Sequence, residues 1–305
     1  MKISLVIPLY NEEPLLAPLL ERVFSALSQV TEDFEVICVD DGSTDRTVAF
    51  LKDFHCKDRR LKIIRLSRNF GHQAAYTAGL EYAAGDYVIM MDGDLQDPPE
   101  LIPKMVETAE NGPYDIVHAR RTGREEKFFK KMLLSVFHFI FKKLSGMREV
   151  ANIGNFSLMN RQSLEALLRY KERSRYLPGL RFHIGFRQQV VEYARESRAD
   201  GRAKMNLTAL YRLALDALFS FSDIPIRLCF FTGLAGMLIC FIAFVYVIVS
   251  KITGLAPFGW SSTTLSIYFM GFIQLIFLGI LGEYLFRTYH ESQNRPVYLV
   301  LEVIE

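Results

Sequence analysis

The sequence has little cysteine and tryptophan, and its charges almost cancel. It holds 4 cysteines and 6 histidines in 305 residues, without CxxC or HExxH spacing, so these residues do not indicate a zinc site. Its 36 basic and 34 acidic residues give a net charge of +2, whereas nucleic-acid-binding domains are strongly basic. The GxGxxG dinucleotide fingerprint and the GxxxxGK[ST] phosphate loop are also missing. These absences exclude a Rossmann dehydrogenase and a P-loop nucleotidase, and nucleic acid is not an expected partner.

Two long runs without charge lie near the C-terminus. Residues 228–250 include no Asp, Glu, Lys, Arg or His, and residues 252–282 form a second uncharged stretch that glycines and a proline interrupt at 254–259. About 20 apolar residues in an α-helix are enough to cross the roughly 30 Å hydrocarbon core of a bilayer. We therefore predict a transmembrane hairpin with helices over 228–250 and 264–283. The alternative is a pair of buried core helices, although soluble helices of this length usually carry a polar stripe.

Basic residues around the runs predict the orientation of the chain. They are Arg198, Arg202, Lys204, Arg212 and Arg227 before the first run, and Arg287 and Arg295 after the second. The turn between the runs offers Lys251 alone, so by the positive-inside bias both flanks face the cytoplasm. No cleavable signal fits the N-terminus, because the apolar run 3–7 is only as long as a strand and Pro8 follows it. We predict a multi-pass protein of the inner (plasma) membrane, with the large N-terminal domain and both termini in the cytoplasm.

The first 200 residues alternate between strand-like and helix-like patterns. This alternation predicts an α/β domain with a mostly parallel sheet and helices on both faces. The predicted strands cover 3–7, 35–39, 61–66, 87–91 and 115–118. The α/β domain is predicted over 1–200 and includes an amphipathic helix at about 125–145. It is followed by a juxtamembrane interface helix over 201–227, the transmembrane hairpin over 228–283 and a C-terminal tail over 284–305.

Polar clusters follow three of the predicted strands. Residues 8–13 come after the first strand, 40–45 after the second and 92–97 after the fourth. Each cluster alone is compatible with a turn and a helix cap. Because the carboxyl ends of parallel strands meet at one edge of a sheet, where ligands bind, the three clusters together predict a binding site.

The segment 92–97 carries hard oxygen ligands. Asp92 and Asp94 flank a glycine at a strand end, so both carboxylates can face one point, and Gln96 adds a neutral oxygen. Such ligands favour Mg²⁺ or Mn²⁺ beside phosphate oxygens. A divalent cation held there would neutralise a leaving pyrophosphate. Asp92, Asp94 and Gln96 are therefore the predicted metal ligands.

Three segments carry a family resemblance. They are Val-Ile-Pro-Leu-Tyr-Asn-Glu at 6–12, Val-Asp-Asp-Gly-Ser-Thr-Asp at 39–45 and Asp-Gly-Asp-Leu-Gln-Asp-Pro-Pro at 92–99. Together they resemble family 2 glycosyltransferases, which have the GT-A fold with a Rossmann-like, mostly parallel sheet. The segments at 66–71 and 281–284 are similar to those of polyisoprenyl-phosphate glycosyltransferases, such as dolichyl-phosphate mannose synthases and bacterial undecaprenyl-phosphate glycosyltransferases. The resemblance covers nearly the whole chain.

The resemblance implies an activity and its partners. The activity is inverting transfer of a sugar from a nucleotide-sugar to a polyprenyl phosphate at the cytoplasmic face of the membrane. The product would be a lipid-phosphate-linked sugar for cell-envelope glycan modification. The bacterial style of hairpin favours a UDP-sugar and undecaprenyl phosphate, and the family implies a homo-oligomer, a tetramer. The sequence leaves the identity of the sugar open.

The resemblance also implies roles for single residues. The donor base and ribose would be held by Pro8, Tyr10, Asn11, Glu12, Asp40 and Asp41. The donor diphosphate would meet Asp92, Gly93 and Asp94. Arg198 and Lys204 match a basic loop of the family, Arg-x-x-Gly-x-x-Lys, that closes on the diphosphate. The alternative for this loop is contact with lipid headgroups.

A phosphate acceptor changes what catalysis requires. A phosphate monoester is mostly dianionic at neutral pH, so it needs no general base before it attacks. Positioning and charge neutralisation then dominate, and Arg121, Lys130 and Lys131 are the predicted acceptor-phosphate ligands. Arg121 also matches a family arginine that contacts phosphate. Around the two lysines, residues 125–145 combine an aromatic, Leu-rich face with basic ends, which favours a helix in the headgroup region over one in the core.

Asn155 marks a departure from the family pattern. Many relatives carry Asp at this position, in a strand near the acceptor, and some accounts of the family make that carboxylate a catalytic base. An amide cannot take up a proton, so we expect Asn155 to orient its neighbours by hydrogen bonding. The predicted catalytic residues are Asp92, Asp94, Arg121 and Asn155.

Two other functions stay open. A processive polysaccharide synthase of the same fold would share the acidic motifs, but such enzymes carry a Gln-x-x-Arg-Trp segment. The single tryptophan here, Trp260, lies between the apolar runs. A non-catalytic, membrane-anchored nucleotide-binding protein would use the acidic motifs for binding alone. Binding of UDP that depends on neither Mn²⁺ nor Asp94 would favour this second alternative.

Overall fold

A computed structural model describes residues 1–122, 153–172, 175–194, 238, 242 and 260–305. They belong to two units, one built around a β-sheet and one that contains a long helix. The predicted helix at 125–145, the juxtamembrane segment 201–227 and most of the first predicted span, 228–250, lie outside the described residues. These three expectations therefore stay predictions.

The first unit contains an eight-stranded mixed sheet. Its strands are β1 Ile3–Leu9, β2 Phe34–Asp40, β3 Leu61–Leu66, β4 Tyr87–Met90, β5 Ile116–Thr122, β6 Ile153–Asn160, β7 Gln188–Ala194 and β8 Val300–Ile304. They lie in the order β7-β5-β6-β4-β1-β2-β3-β8. The strands β6 and β8 run antiparallel to their neighbours, and the other pairs are parallel. The predicted mostly parallel α/β sheet is confirmed, and every predicted strand is present.

Helices connect the strands of this unit. Those described are α1 Glu13–Ser28, α2 Thr47–Lys57, α3 His72–Tyr82, α4 Ile102–Asn111, α5 Arg161–Leu168 and α6 Leu177–His183. Pro14 lies in the first turn of α1, where its missing N–H costs nothing. Asn160 caps α5 by accepting a hydrogen bond from the Ser163 N–H at 2.9 Å. Local sequence signals therefore set where these helices begin.

The core lies on both faces of the central strands. Every residue of β1 and β2 is buried, as expected for parallel strands that helices cover on both sides. Helix α1 faces them with an amphipathic stripe whose buried members include Leu16, Leu19, Leu20, Val23 and Leu27. Each large aliphatic side chain buried in this way stabilises the fold by roughly 1.5–3 kcal/mol.

Gly79 lets α3 pack closely against the sheet. A Cβ atom at this position would lie 2.3 Å from Val6 Cγ1 and 2.9 Å from Val39 Cγ2, closer than packed side chains allow. The helix is therefore seated directly on β1 and β2. Its N-terminus begins at the carboxyl edge of the sheet, where His72 contacts Asp92.

Strand β6 is inserted antiparallel between β4 and β5 and carries an irregularity. Its pairing with β4 ends at Met90 and Ser157, and its register with β5 shifts between His118 and Arg120. Such a bulge bends a strand and re-aims its side chains. Residues 154–156 thereby run past the end of β4, toward the edge that carries the polar clusters.

The C-terminal residues complete the sheet, which the sequence pattern does not predict. Strand β8 pairs antiparallel with β3. Lys52 on α2 forms an ion pair with Glu302 at 2.9 Å, and Tyr298 donates a hydrogen bond to Glu81 on α3 at 2.5 Å. The last part of the predicted tail therefore packs on the sheet domain and covers the edge of β3.

The second unit is described mainly by α7, Trp260–Ser292. This helix contains the second predicted span, 264–283, and extends beyond it at both ends. Its apolar side chains with more than half of their surface exposed include Ile267, Phe269, Leu278, Leu281, Leu285 and Phe286. Among the residues that the structure describes, no helix combines the length and apolar character needed for a membrane crossing.

Glu35 on β2 is a buried charge at the amino edge of the sheet, with a side chain that is 3% exposed. The Ser4 hydroxyl and the Ala84 N–H donate to its Oε1 at 2.5 Å and 2.8 Å. Lys2 and Lys62 each place a charged nitrogen 3.3 Å from its Oε2. Burial raises the pKa of this carboxyl, but the hydrogen bonds and the lysines outweigh burial and hold the pKa below its ordinary value.

We expect Glu35→Gln to lower the free energy of unfolding at neutral pH by about 1.5–3 kcal/mol, because a charged hydrogen-bond acceptor is lost. Since the pKa of Glu35 is lowered on folding, its contribution is fully present above the ordinary value of 4.5 and is lost as the pH falls through the folded pKa. Urea unfolding of both proteins at neutral pH and at about pH 3 measures this difference.

A matched control for this prediction is Glu32→Gln. The Glu32 side chain is 87% exposed and lies 3.7 Å from Arg60, and surface pairs of this kind contribute little. We expect this variant to unfold like the wild type at both pH values. An equal effect of Glu35→Gln at neutral and acid pH would contradict the role of its charge.

Candidate active site

The loops after β1 and β2 are joined at the carboxyl edge of the sheet. The Asn11 N–H donates to Ser43 Oγ at 3.0 Å, and the Thr44 N–H donates back to Asn11 Oδ1 at 2.8 Å. Asn11 has φ 53°, a left-handed conformation that asparagine tolerates better than most residues. The polar clusters at 8–13 and 40–45 therefore form one surface, as their positions after neighbouring strands predict.

Asp41 anchors a third loop to this surface. The N–H groups of Phe70 and Gly71 donate to its two carboxylate oxygens at 2.7 Å and 2.9 Å. Burial, assisted by the charge of Asp40, raises the pKa of Asp41 despite these hydrogen bonds. The side chain thus holds the 67–71 loop in place, and its predicted contact with the donor stays a prediction.

Among the described residues, one carboxylate oxygen of Asp40 lies in an ion pair with Arg65 but accepts no hydrogen bond. Its side chain is fully buried, and its Oδ1 accepts the Ser43 N–H at 3.1 Å. Within the described residues, its Oδ2 has no hydrogen-bond partner, and Arg65 Nε lies 3.8 Å away, too far for a hydrogen bond. A buried carboxylate oxygen without a donor is costly, so this atom fits an N–H group of a bound ligand.

Asp92 lies at the centre of a group of donors. Its Oδ1 accepts the Tyr76 hydroxyl at 2.7 Å and the Asn155 Nδ2 at 3.3 Å. His72 Nε2 lies 3.2 Å from the same oxygen, and an Arg121 nitrogen lies 3.9 Å from Oδ2. Burial raises the pKa of Asp92, but His72 and Tyr76 outweigh burial and hold it well below its usual range. Asp92 is therefore an ionised carboxylate at neutral pH.

Arg121 reaches the same place from β5. Its guanidinium lies 3.4 Å from Asp97 Oδ1, and its Nε donates to the Tyr193 hydroxyl at 3.0 Å. Tyr193 in turn donates to Asp97, whose pKa is raised by burial and by the charge of Asp92. Asp97 and Tyr193 are not among the site residues that the sequence predicts. Asp97 belongs to the acidic segment 92–97, whereas no sequence signal marks Tyr193.

His72 is a second site residue that the sequence motifs do not identify. Burial lowers the pKa of its imidazole, but the carboxylates of Asp92, Asp94 and Asp41 outweigh burial and raise it. The histidine directly follows the motif at 66–71, and this adjacency is the one signal that points to it. Its ring nitrogen brings a positive charge to Asp92 when it is protonated.

The predicted metal ligands lie on one turn after β4. Asp94 Oδ1 accepts the Gln96 N–H at 3.2 Å, Leu95 between them has φ 57°, and Asp94 is partly exposed. In the described part of the chain, no three His, Cys, Asp or Glu side chains form a complete metal site. Two carboxylates and an amide nevertheless fit a hard divalent cation that takes its remaining ligands from phosphate oxygens and water.

The remaining predicted site residues divide into two groups. The first group lies at the carboxyl end of β1 and just after it. Tyr10 is 42% exposed there, Pro8 is the strand partner of Val39 on β2, and the Glu12 N–H donates to Thr47 Oγ1 at 3.2 Å. The second group lies outside the described residues: Lys130, Lys131, Arg198 and Lys204. Their roles stay predictions.

Asn155 is oriented by a chain of amides. Gln73 Nε2 lies 3.5 Å from Asn155 Oδ1, and Gln73 Oε1 accepts the Leu177 N–H at 3.1 Å. This arrangement turns the Nδ2 of Asn155 toward Asp92. The amide therefore acts as a hydrogen-bond donor to the ionised carboxylate, and its predicted orienting role in catalysis stays a prediction.

We expect Asn155→Asp to keep turnover within about tenfold of the wild type, because a missing general base would be worth roughly 10²–10⁴ in rate. A carboxylate at this position would lose the hydrogen bond to Asp92 and add a like charge beside it. Steady-state rates of both proteins over a range of pH measure the effect. A gain much larger than about tenfold would show that the amide replaces a required base.

Sequence comparisons identify the family. Residues 4–168 match the profile of Glycosyl transferase family 2. The chain is 40% identical to an uncharacterized glycosyltransferase of Synechocystis sp., over 99% of this chain and 96% of the relative. It is 35% identical to a prophage bactoprenol glucosyl transferase homolog of Escherichia coli, over 99% of both chains. It is also 35% identical to the bactoprenol glucosyl transferase of Shigella phage SfV, over 98% of both chains.

A solved structure shows the same fold. Glucosyl-3-phosphoglycerate synthase from Mycobacterium tuberculosis, in complex with Mn²⁺, UDP and phosphoglyceric acid, gives a TM-score of 0.51 at 20% identity. The match covers 72% of this chain and 78% of that chain, and it supports a GT-A-like mixed sheet. The profile and the near-full-length relatives show that the chain belongs to glycosyltransferase family 2, as its motifs predict, and is a glycosyltransferase.

Proposed function

We propose that this enzyme transfers a sugar, with inversion, from a UDP-linked donor to a polyprenyl phosphate. Relatives named bactoprenol glucosyl transferases align over nearly their whole length, which supports a polyprenyl phosphate acceptor. Their names also make UDP-glucose the first donor to test. Undecaprenyl phosphate is the acceptor that we propose, and the product is a lipid-phosphate-linked sugar for glycan modification of the cell envelope.

The observation that carries the proposal is a site with an ionised carboxylate and a neutral amide at its centre. The pKa of Asp92 lies well below the usual range, so this group is a weak base, and Asn155 cannot take up a proton. A sugar hydroxyl would have to lose a proton during attack, whereas a phosphate acceptor is already ionised. The site therefore favours phosphate over a hydroxyl as the attacking group.

The proposed transfer moves no proton through a side chain. An acceptor phosphate oxygen forms a bond to the anomeric carbon, the bond from that carbon to the donor diphosphate breaks, and UDP leaves with the electron pair. Arg121, held by Asp97 and Tyr193, would place positive charge beside the phosphates. Asp40 Oδ2 would accept an N–H of the donor base.

A divalent cation fits this scheme. Asp92, Asp94 and Gln96 would hold Mg²⁺ or Mn²⁺, which supplies positive charge to the leaving diphosphate when it is bound. The structurally similar synthase was solved with Mn²⁺ and UDP, and this makes Mn²⁺ a natural first choice in assays.

We also propose that the enzyme works at the cytoplasmic face of the inner membrane, as a multi-pass homo-oligomer. The uncharged runs 228–250 and 252–282 support this location, as does the exposed apolar surface of α7. A polyprenyl acceptor is itself a lipid, so its phosphate lies at the membrane surface. Lys130, Lys131, Arg198 and Lys204 are the proposed contacts for the phosphates and headgroups.

A donor panel tests the proposed function. The full chain, purified in detergent, is mixed with undecaprenyl phosphate, Mg²⁺ or Mn²⁺ and radiolabelled UDP-glucose, UDP-N-acetylglucosamine or GDP-mannose. We expect a UDP-sugar to label the organic phase with one sugar per lipid. Folded protein that labels no lipid with any donor would overturn the proposal. Labelled polymer would indicate a processive synthase, and UDP binding without Mn²⁺ dependence or turnover would indicate a binding protein.

A further inference from the structure

Arg181 on α6 is a fully buried guanidinium next to the active site. No Asp or Glu among the described residues lies within ion-pairing distance of it. Burial lowers the pKa of Arg181 to about 10, so the side chain stays charged at neutral pH. Burial of a charge is costly, and an apolar residue of similar volume usually serves packing as well or better. The charge at this position therefore points to a use other than filling the core.

The hydrogen bonds of Arg181 go to the irregular start of β6. Its guanidinium donates to the Gly154 carbonyl at 2.5 Å, to the Asn155 carbonyl at 2.8 Å and to the Ser157 hydroxyl at 2.5 Å. These residues lie where β6 runs past the end of β4 and shifts register against β5. Backbone carbonyls at such a bulge lose their ladder partners, and a planar guanidinium can bind two of them at once.

The same short segment carries the amide that meets Asp92. Arg181 binds the carbonyl of Asn155, while the side chain of Asn155 donates to Asp92 at 3.3 Å. Gly154 adds a second link, because a Cβ there would lie 3.0 Å from an Arg121 nitrogen. The position of residues 154 and 155 thus sets where Asn155 stands relative to Asp92, and the Arg121 guanidinium lies beside Gly154.

We propose that Arg181 is a positioning residue for sugar transfer: it fixes the bulged start of β6 so that Asn155 reaches Asp92. This inference rests on the proposed function. It predicts that loss of Arg181 lowers turnover more than it lowers donor binding. The residues proposed to bind the donor lie away from β6: Asp40 is at the end of β2, and Asp41 holds the 67–71 loop.

The test compares Arg181→Met and Arg181→Lys in the full chain. We expect Arg181→Met to lower kcat by about tenfold, because Asn155 is displaced from Asp92, while the KM for the UDP-sugar changes by less than about twofold. Lysine keeps the charge but cannot span two carbonyls, so Arg181→Lys should lower kcat by about fivefold. Thermal unfolding and UDP titration report the folded fraction of each variant.

A double-mutant cycle separates positioning from stability. In an Asn155→Ala background we expect Arg181→Lys to change kcat by less than about twofold, since the interaction acts through Asn155. A merely structural arginine would lower activity equally in both backgrounds. This comparison decides the question even if Arg181→Met does not fold.

Arg161→Met is the matched control. Arg161 also donates to two backbone carbonyls, Ala83 at 2.9 Å and Gly85, but at the amino edge of the sheet. We expect it to lower stability without changing kcat per folded enzyme. Wild-type kcat in folded Arg181→Met would overturn the inference alone. Absence of transfer by the wild type with every donor would overturn the proposed function, and the inference with it.

Discussion

Asp94→Asn is expected to lower sugar transfer by at least about 10²–10³-fold, because the site loses the carboxylate that we propose as a ligand of the metal beside the donor diphosphate. The fold should survive, since Asp94 Oδ1 accepts the Gln96 N–H and an asparagine oxygen can accept it equally. The initial rate of lipid labelling measures the loss, and thermal unfolding checks the fold. Asp92→Asn is less informative, because Asp92 also pairs with His72 and Arg121.

The control for this prediction is Asp53→Asn, which removes an exposed carboxylate from α2, away from the carboxyl edge. We expect wild-type rates from it. Titration with UDP adds a second measurement, because Mn²⁺ should strengthen UDP binding to the wild type and not to Asp94→Asn. If Asp94→Asn transfers sugar at more than about a tenth of the wild-type rate, Asp94 has no central catalytic role.

Gly42→Ala is expected to abolish donor binding and to destabilise the domain. Gly42 has φ +74°, and a Cβ there would lie 2.6 Å from the Arg68 carbonyl carbon and 2.7 Å from the Asn69 nitrogen. These are backbone atoms that cannot rotate away, so the 67–71 loop must move from its place beside Asp41. We expect the free energy of unfolding to fall by about 2–5 kcal/mol, from left-handed strain and overpacking together.

Gly185→Ala separates the two causes. Gly185 has nearly the same torsion, φ +75°, but an added Cβ there would meet nothing within 4 Å. Gly185→Ala should therefore lower the free energy of unfolding by only about 1–2 kcal/mol, the cost of the left-handed conformation, and leave donor binding unchanged. Urea unfolding and UDP titration compare the two variants. Equal losses in both would show that the contact between the loops at Gly42 and Arg68 is unimportant.

The strands and the polar segments of the site follow from local sequence. Alternation of β-branched runs with helical patterns predicts five strands of the sheet to within four residues at each end, from 3–7 for β1 to 115–118 for β5. The remaining three strands, β6, β7 and β8, are not predicted by this pattern. β8 pairs with β3 although the partners Arg65 and Glu302 lie near opposite ends of the chain.

The residues of the candidate site also divide into those that local sequence predicts and those that only the fold brings together. Asp40, Asp92 and Asp94 lie at or just after the carboxyl ends of parallel strands. Because these ends meet at one edge of the sheet, the sequence predicts that the three residues lie close together. Asp97 and Tyr193, by contrast, are 96 residues apart and meet only because β7 lies parallel to β5. His72 reaches Asp92 because Gly79 seats α3 on the sheet.

By itself, the sequence determined five strands of the sheet and the acidic segments, because periodicity, glycine and charged residues at strand ends act over a few neighbouring residues. Its resemblance to a known family indicated the reaction class. Only the tertiary structure decided which partner each polar side chain of the site contacts. It placed Asp41 against the 67–71 loop, turned Asn155 toward Asp92 and bound the buried Arg181 to the Asn155 carbonyl. These contacts depend on strand register, on a bulge and on close helix packing, which join residues far apart in the chain and leave no local pattern.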